Sequence, residues 1–222
     1  MHHRTNNNKT MKKLLFISIV AIFIAACSKS PEQKAEALIK DSLKKSLYKP
    51  DTYKPVDTKV DSAFTPYDDP KVIEEVINFL TLTSDAMSLE EDMKENESDV
   101  ALWSESSRAM GAYSMIEYEN AKEKYESNSK AFDKKLEEIN ESLQKLSKMI
   151  NGKKDFIGFK VTHNYRADNN MGSTLIGNTV FIIDKEYKEV LYSMELDEYE
   201  KMKYSIDKTK EIIEQNSQSE KQ

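Results

Sequence analysis

Residues 72–103 read VIEEVINFLTLTSDAMSLEEDMKENESDVALW. One stripe runs through them in steps of three and four: Val72, Glu75, Phe79, Leu82, Ala86, Leu89, Met93, Asn96, Val100 and Trp103. Side chains at that spacing share a face only when the chain is an α-helix. After Gly111 the pattern restarts as Met115, Tyr118, Lys122, Tyr125, Ser129, Phe132, Leu136, Ile139, Leu143, Leu146 and Ile150. Two such stripes around a short turn predict an antiparallel helical hairpin over 68–151, entered through Asp69-Pro70 as an N-terminal cap. With the turn centred near Ala109 the stripes mesh. Phe79 meets Ile139, Leu82 meets Leu136, small Ala86 faces Phe132, Leu89 faces small Ser129, and polar Asn96 faces Lys122. Setting large against small keeps the layer volume even, as close packing requires. Each arm of about 38 residues would reach roughly 55 Å at 1.5 Å per residue.

On either side of the hairpin the period changes. Upstream, Ser30-Pro31-Glu32-Gln33 reads as a helix start, with Ser30 as cap, Pro31 at the first helical position and Gln33 closing a capping box. Ala35, Leu38, Ile39, Leu43 and Leu47 carry that helix to about Tyr48, before Pro50 and Pro55. Val56, Thr58, Val60, Ser62 and Phe64 then alternate as a half-buried strand. Downstream of Asn151-Gly152, Phe156 to Ala167 reads as a strand with Phe159, Val161, His163 and Tyr165 on one face. Asp168-Asn169-Asn170-Met171-Gly172 is a turn, Thr174 to Asp184 a second strand and Val190 to Met194 a third. Leu196, Tyr199, Met202, Ile206, Thr209 and Ile213 mark a closing helix. Neither flank buries its apolar face alone, but together they supply about 100 residues, enough for one modest core. The predicted fold is α+β: an N-terminal helix and an antiparallel sheet of about four strands, interrupted by the long helical hairpin, with a C-terminal helix. The corresponding divisions are an α+β domain over 31–67 and 152–215, the inserted hairpin over 68–151, and a disordered tail over 216–222.

The first residues carry a different signal. From Met11 the chain reads MKKLLFISIVAIFIAAC, with basic Lys12 and Lys13, an apolar run from Leu14 to Ile24, and small Ala25 and Ala26 before Cys27. A basic start, an apolar run too short to span a bilayer comfortably and small residues at its end describe a cleaved export signal. Cysteine directly after the small pair resembles the lipobox of bacterial lipoproteins, in which the thiol carries diacylglycerol and cleavage falls between Ala26 and Cys27. On that reading 1–26 is a signal peptide and 27–30 a lipidated tether. Met11 opens a complete signal by itself, so residues 1–10 read as an upstream extension. Each buried CH₂ adds roughly 0.8 kcal/mol, so two or more acyl chains give lasting membrane attachment. By resemblance to lipoprotein sorting, Ser28 after Cys27 implies the outer membrane facing the periplasm, with the cell surface as the alternative. Cys27 is the one cysteine, so no intrachain disulfide forms.

From Cys27 onward the chain has 29 basic and 39 acidic residues, a net of −10. That balance repels phosphate backbones and argues against nucleic-acid binding. His163, the one histidine after Cys27, has no second His or Cys near it in sequence, which points to a structural role over a metal site or a triad. No GxSxG elbow and no phosphate-cradling glycine loop occurs, and no cofactor is implied. The carboxylate pairs Glu74 and Glu75, Glu90 to Asp92, and Glu137 and Glu138 read as solvated helix faces. Trp103 lies near the hairpin tip, as a cap on the seam or an exposed contact.

Two segments carry a resemblance. Leu47-Tyr48-Lys49-Pro50-Asp51-Thr52-Tyr53 and Tyr165-Arg166-Ala167-Asp168-Asn169-Asn170-Met171-Gly172 resemble a pattern in secreted and lipid-anchored envelope proteins of Gram-negative gut bacteria. There, Leu-x-x-Pro-x-Ser/Thr-Tyr/Phe precedes a strand ending in Tyr-Arg-Ala-Lys-Asn-x-x-Gly. Asp168 stands here in place of the usual Lys. The resemblance implies that the two segments share one domain, and it brings no activity with it. Asp61-Ser62-Ala63 and Asp41-Ser42-Leu43 resemble the short O-glycosylation acceptors of some of those bacteria.

The reading that follows is a non-catalytic envelope lipoprotein acting as a protein-interaction or structural module. It would be held to the membrane by lipid on Cys27 and would dock an envelope protein. The alternatives are a solute- or glycan-binding lipoprotein and a hydrolase with an unfamiliar carboxylate site. The candidate contact residues are Trp103, Tyr165, Arg166 and Asn169.

Overall fold

The computed structural model describes residues 29–219, and the side chains of all of these except 105–110 and 217–219. Among the described residues are four α-helices, α1 (Pro31–Leu43), α2 (Pro70–Met110), α3 (Ala112–Ile150) and α4 (Leu196–Ser219). Four strands, β1 (Lys54–Phe64), β2 (Phe156–Asp168), β3 (Thr174–Asp184) and β4 (Val190–Glu195), form one antiparallel sheet in chain order. The fold is α+β, with α2 and α3 inserted between two strands that are neighbours in the sheet.

The local chemistry explains the boundaries. At the start of α1, Gln33 N donates to Ser30 Oγ at 3.2 Å and Ser30 N donates to Gln33 Oε1 at 3.1 Å, the reciprocal bonds of a capping box. The helix ends at Leu43, short of Tyr48, because the Leu43 carbonyl accepts from Ser46 N at 3.0 Å and Leu47 N at 2.9 Å in a closing turn. Leu47 still packs on the core that α1 covers. β1 opens at Lys54 and includes Pro55; an edge strand tolerates a residue without an N–H. Ala35, Ile39 and Leu43 lie over Val161, Tyr165, Ala167, Phe181 and Ile183. Lys34 sits above the Tyr187 ring, which stacks 4.4 Å from Phe159. The first turn of α1 is therefore at the end of the sheet where β1 finishes and β2 begins.

The hairpin leaves from that same end. Thr65 N donates to the Asp155 carbonyl at 3.0 Å, and Asp155 N donates back to Thr65 Oγ1 at 2.8 Å. Thr65 Oγ1 in turn donates to the Lys153 carbonyl at 3.0 Å. From this clip α2 runs 41 residues and α3 returns 39, each about 60 Å long at 1.5 Å per residue. The joint is Gly111 alone, at φ 82°, two residues past the predicted centre; that backbone region suits glycine.

Every stripe position of α2 is buried or half-buried. In α3 the stripe holds at Tyr118, Tyr125, Phe132, Ile139, Leu146 and Ile150 but slips by one residue between them. Ser114, Ala121 and Ser142 are buried, whereas Met115, Lys122 and Leu136 face solvent. Small side chains let the two helices approach, and the slip keeps the Lys122 ammonium in water. Phe79 and Ile139 share a core as predicted, whereas Leu136 and Lys122, predicted to face Leu82 and Asn96, are exposed.

Three cores result. The second joins Val72, Val76, Phe79, Leu146 and Ile150 of the hairpin stem to Ile206 and Ile213 of α4. The third packs Tyr199 of α4 on Ala63, Val180 and Ile182. α4 thus crosses from sheet to stem and runs to Ser219; the last three residues of the tail expected over 216–222 lie outside the described residues. Polar groups lock both joints. Asp68, buried, accepts from the Tyr199 hydroxyl at 2.5 Å and from Phe64 N at 2.8 Å, with Lys160 Nζ 3.7 Å away. Glu75 was read as a solvated helix face, yet it is buried in the seam and accepts from Ser142 Oγ at 2.7 Å, Asn78 Nδ2 at 3.3 Å and Lys145. Its step in the stripe points it inward, and the opposing polar groups satisfy it there.

Glu75→Ala leaves the buried Ser142 hydroxyl unpaired, so unfolding in urea is expected to show a loss of about 1–3 kcal/mol. An unchanged midpoint would mean that the seam does not depend on this carboxylate.

Candidate functional site

β2 lays His163, Tyr165 and Ala167 on the face that packs beneath α1 and the Leu47–Tyr53 segment. His163 is fully buried. Its Nε2 is 2.8 Å from the Tyr53 hydroxyl and its Nδ1 is 2.9 Å from Thr58 Oγ1. The ring stacks 5.7 Å from Tyr165 and meets the edge of Phe181 at 6.3 Å. One hydroxyl donates to the bare ring nitrogen and the other accepts from the N–H, so both nitrogens are engaged in a neutral imidazole. Burial lowers the His163 pKa, and the Asp57 carboxylate only partly opposes that. The Tyr53 hydroxyl is pushed up to about 12 by burial first, then by Glu36 and Tyr165. These groups pin β1 and the Leu47–Tyr53 segment to β2, and they offer no free base or ligand.

The Asp168–Gly172 turn is built from its own side chains. Asn169 Oδ1 accepts from Met171 N at 3.0 Å and Ser173 N at 2.9 Å, while Gly172 takes φ 86°. Asp168 Oδ1 accepts from Thr174 Oγ1 at 2.7 Å, and Asp168 N donates to Thr52 Oγ1 at 2.8 Å, which ties the two motif segments together. Arg166 is exposed and, by strand alternation, projects on the opposite face, where its cross-strand neighbours are Lys54 and Ile176.

Tyr165 and Asn169 are brought together in a groove. A hollow of about 190 Å³ is lined by Leu47, Tyr48, Tyr165, Asn169, Gly177 and Glu195 among others. It adjoins a second hollow of about 310 Å³ at Ser42, Ser46, Thr179, Ser193, Glu195 and Glu198. No basic side chain lines either. The Tyr165 ring fits only because residue 177 is glycine; a Cβ there would overlap the ring. Burial and the Glu195 carboxylate raise the Tyr165 pKa against a bond with Thr179, so the hydroxyl stays protonated. Glycine inside a strand is the sequence signal for such close approach, and Gly177 was not singled out.

A third hollow, about 340 Å³, lies on the hairpin seam beside Glu75, Asn78, Glu138, Glu141, Ser142 and Lys145. Burial alone would raise the Glu75 pKa, but the bonds from Lys145, Ser142 and Asn78 outweigh it and hold the carboxyl below its ordinary value. That carboxylate is committed to the seam.

At the far end of the hairpin, Trp103 is half-buried and meets Tyr113 edge to face at 6.2 Å, sealing the seam. Around it Leu102 (60% exposed), Tyr113 (67%), Met115 (60%) and Ile116 (58%) face solvent. Sequence reading put Met115 in the core and missed Leu102 and Ile116; the one-residue slip in α3 turned Met115 outward.

No family model, curated protein or solved structure matches the chain. Ala26 and Cys27 lie outside the described residues. Among the described residues no helix is long and apolar enough to cross a membrane, and no group of three or more His, Cys, Asp or Glu could hold a metal ion.

Two outcomes test this geometry. A histidine with a lowered folded-state pKa stabilises fully above its unfolded value near 6.5, and that stability falls as pH drops through the lowered one. The thermal midpoint is therefore expected to decline below pH 6.5, before Glu75 contributes its own loss below about 4.5. His163→Phe should remove the upper part of that slope; a slope it leaves unchanged would assign the effect elsewhere. Gly177→Ala should destabilise by about 1–3 kcal/mol through overpacking. In a Tyr165→Ala background the same change should cost far less, and equal costs in both backgrounds would rule out the ring contact as the cause.

Proposed function

We propose that the protein is a non-catalytic envelope lipoprotein, held by lipid on Cys27, whose helical hairpin is an arm that docks an envelope protein. The observation that carries this is the exposed apolar set at the hairpin tip, Leu102, Tyr113, Met115 and Ile116. Four large apolar side chains left in water within the last turns of an arm about 60 Å long give that end the apolar exposure that marks contact sites. A stem braced by α4 and locked by Glu75 supports this reading, because a rigid arm loses little freedom on binding. The Tyr165 groove favours a second reading, a solute- or glycan-binding lipoprotein, since it is concave and joins two tyrosines to several polar groups.

In its host the chain is expected to incorporate alkyne-palmitate, and Cys27→Ser to abolish the label; an acyl-free, water-soluble wild type would end the anchoring proposal. Crosslinking of intact cells should join the wild type to an envelope protein. A variant with Ser at 102, 113, 115 and 116 should lose that crosslink, and its full retention would move docking away from the tip.

A further inference from the structure

The net charge of the chain is unevenly placed. From Cys27 onward it is −10, and residues 90–126, the outer half of the hairpin, carry eleven acidic side chains against four basic ones, a net of −7. Glu90, Glu91, Asp92, Glu95, Glu119 and Glu123 are exposed. Of the basic residues in this stretch, Lys94 is already taken by Glu90 at 2.7 Å. The apolar tip therefore stands at the end of an acidic shaft.

Resting on the docking reading, we infer that the hairpin tip binds a protein whose surface presents an apolar pocket ringed by lysine and arginine. Charge complementarity selects among three occupants. A bilayer leaflet rich in anionic lipid would repel the shaft as its apolar end approached. A second copy would set −7 against −7. A basic-rimmed pocket takes Met115 and Ile116, neighbours on the helix surface, into its centre while the exposed carboxylates meet its rim. That arrangement steers encounter and weakens with salt, because the screening length is only about 8 Å at physiological ionic strength.

The test places the photo-crosslinking residue p-benzoylphenylalanine at Met115 of the full chain in its native host, with Tyr204 on α4 as a control position. The expected product is a crosslink from 115 to a protein whose captured peptide is rich in Lys or Arg beside apolar residues. Its yield should fall several-fold in added salt and in the variant Glu90→Gln, Glu91→Gln, Asp92→Gln and Glu95→Gln. Those positions are exposed, and circular dichroism shows whether that variant keeps its helix; if it does not, Glu119→Gln with Glu123→Gln replaces it. Crosslinks to phospholipid or to a second copy overturn the inference. A protein crosslink indifferent to salt and to the charge variants also overturns it while leaving docking at the tip intact. No crosslink from 115 above the level at 204 removes the docking reading itself.

Discussion

The structure depends on one closure: β1 and β2 must pair although the chain between Phe64 and Phe156 leaves the sheet and comes back. Bringing the ends of a long flexible segment together costs entropy that grows with its length. The hairpin lessens that cost by being self-returning. Its arms differ by two residues, 41 against 39, so Pro70 and Ile150 finish side by side. The Thr65–Asp155 clip then hands the chain to the sheet in register. An arm-length mismatch of a few residues would offset the two strands and turn alternate side chains to the wrong face.

Burial is distributed to suit that closure. The sheet packs α1 on one face through Val161, Tyr165, Phe181 and Ile183, and the start of α4 on the other through Val180, Ile182 and Tyr199. The rest of α4 joins the stem at Ile206 and Ile213, so one helix belongs to two cores and couples the arm to the body. Polar pairs sit where elements meet: Tyr53 and Thr58 on His163, Tyr199 on Asp68, Ser142 and Lys145 on Glu75. A satisfied buried polar group fixes geometry, because any shift leaves a desolvated partner unpaired.

Much of the fold was legible because its periods are clean. The three-and-four stepping of α2 has one reading, and the Val161, His163, Tyr165 alternation placed the face under α1. The slip in α3 was not legible, since both 118-121-125 and 118-122-125 are helical and apolar Met115 and Leu136 favoured the wrong one. What decides is how closely the helices approach, a property of the pair. For the same reason Met115 reads as core until its partner helix is in place, although Trp103 already marked the tip. Tyr165 and Asn169 did fall together in a groove, while Arg166 went to the other face by simple alternation. The groove itself needed α1 and Gly177, which sequence neighbours do not reveal.

The first turn of α1 and the hairpin clip share one end of the sheet, while the Tyr165 groove opens toward the other, about 20 Å away along β2 from Phe159 to Tyr165 at roughly 3.3 Å per residue. A body fastened through the residues ahead of α1 would keep the groove toward the end of the sheet away from that fastening.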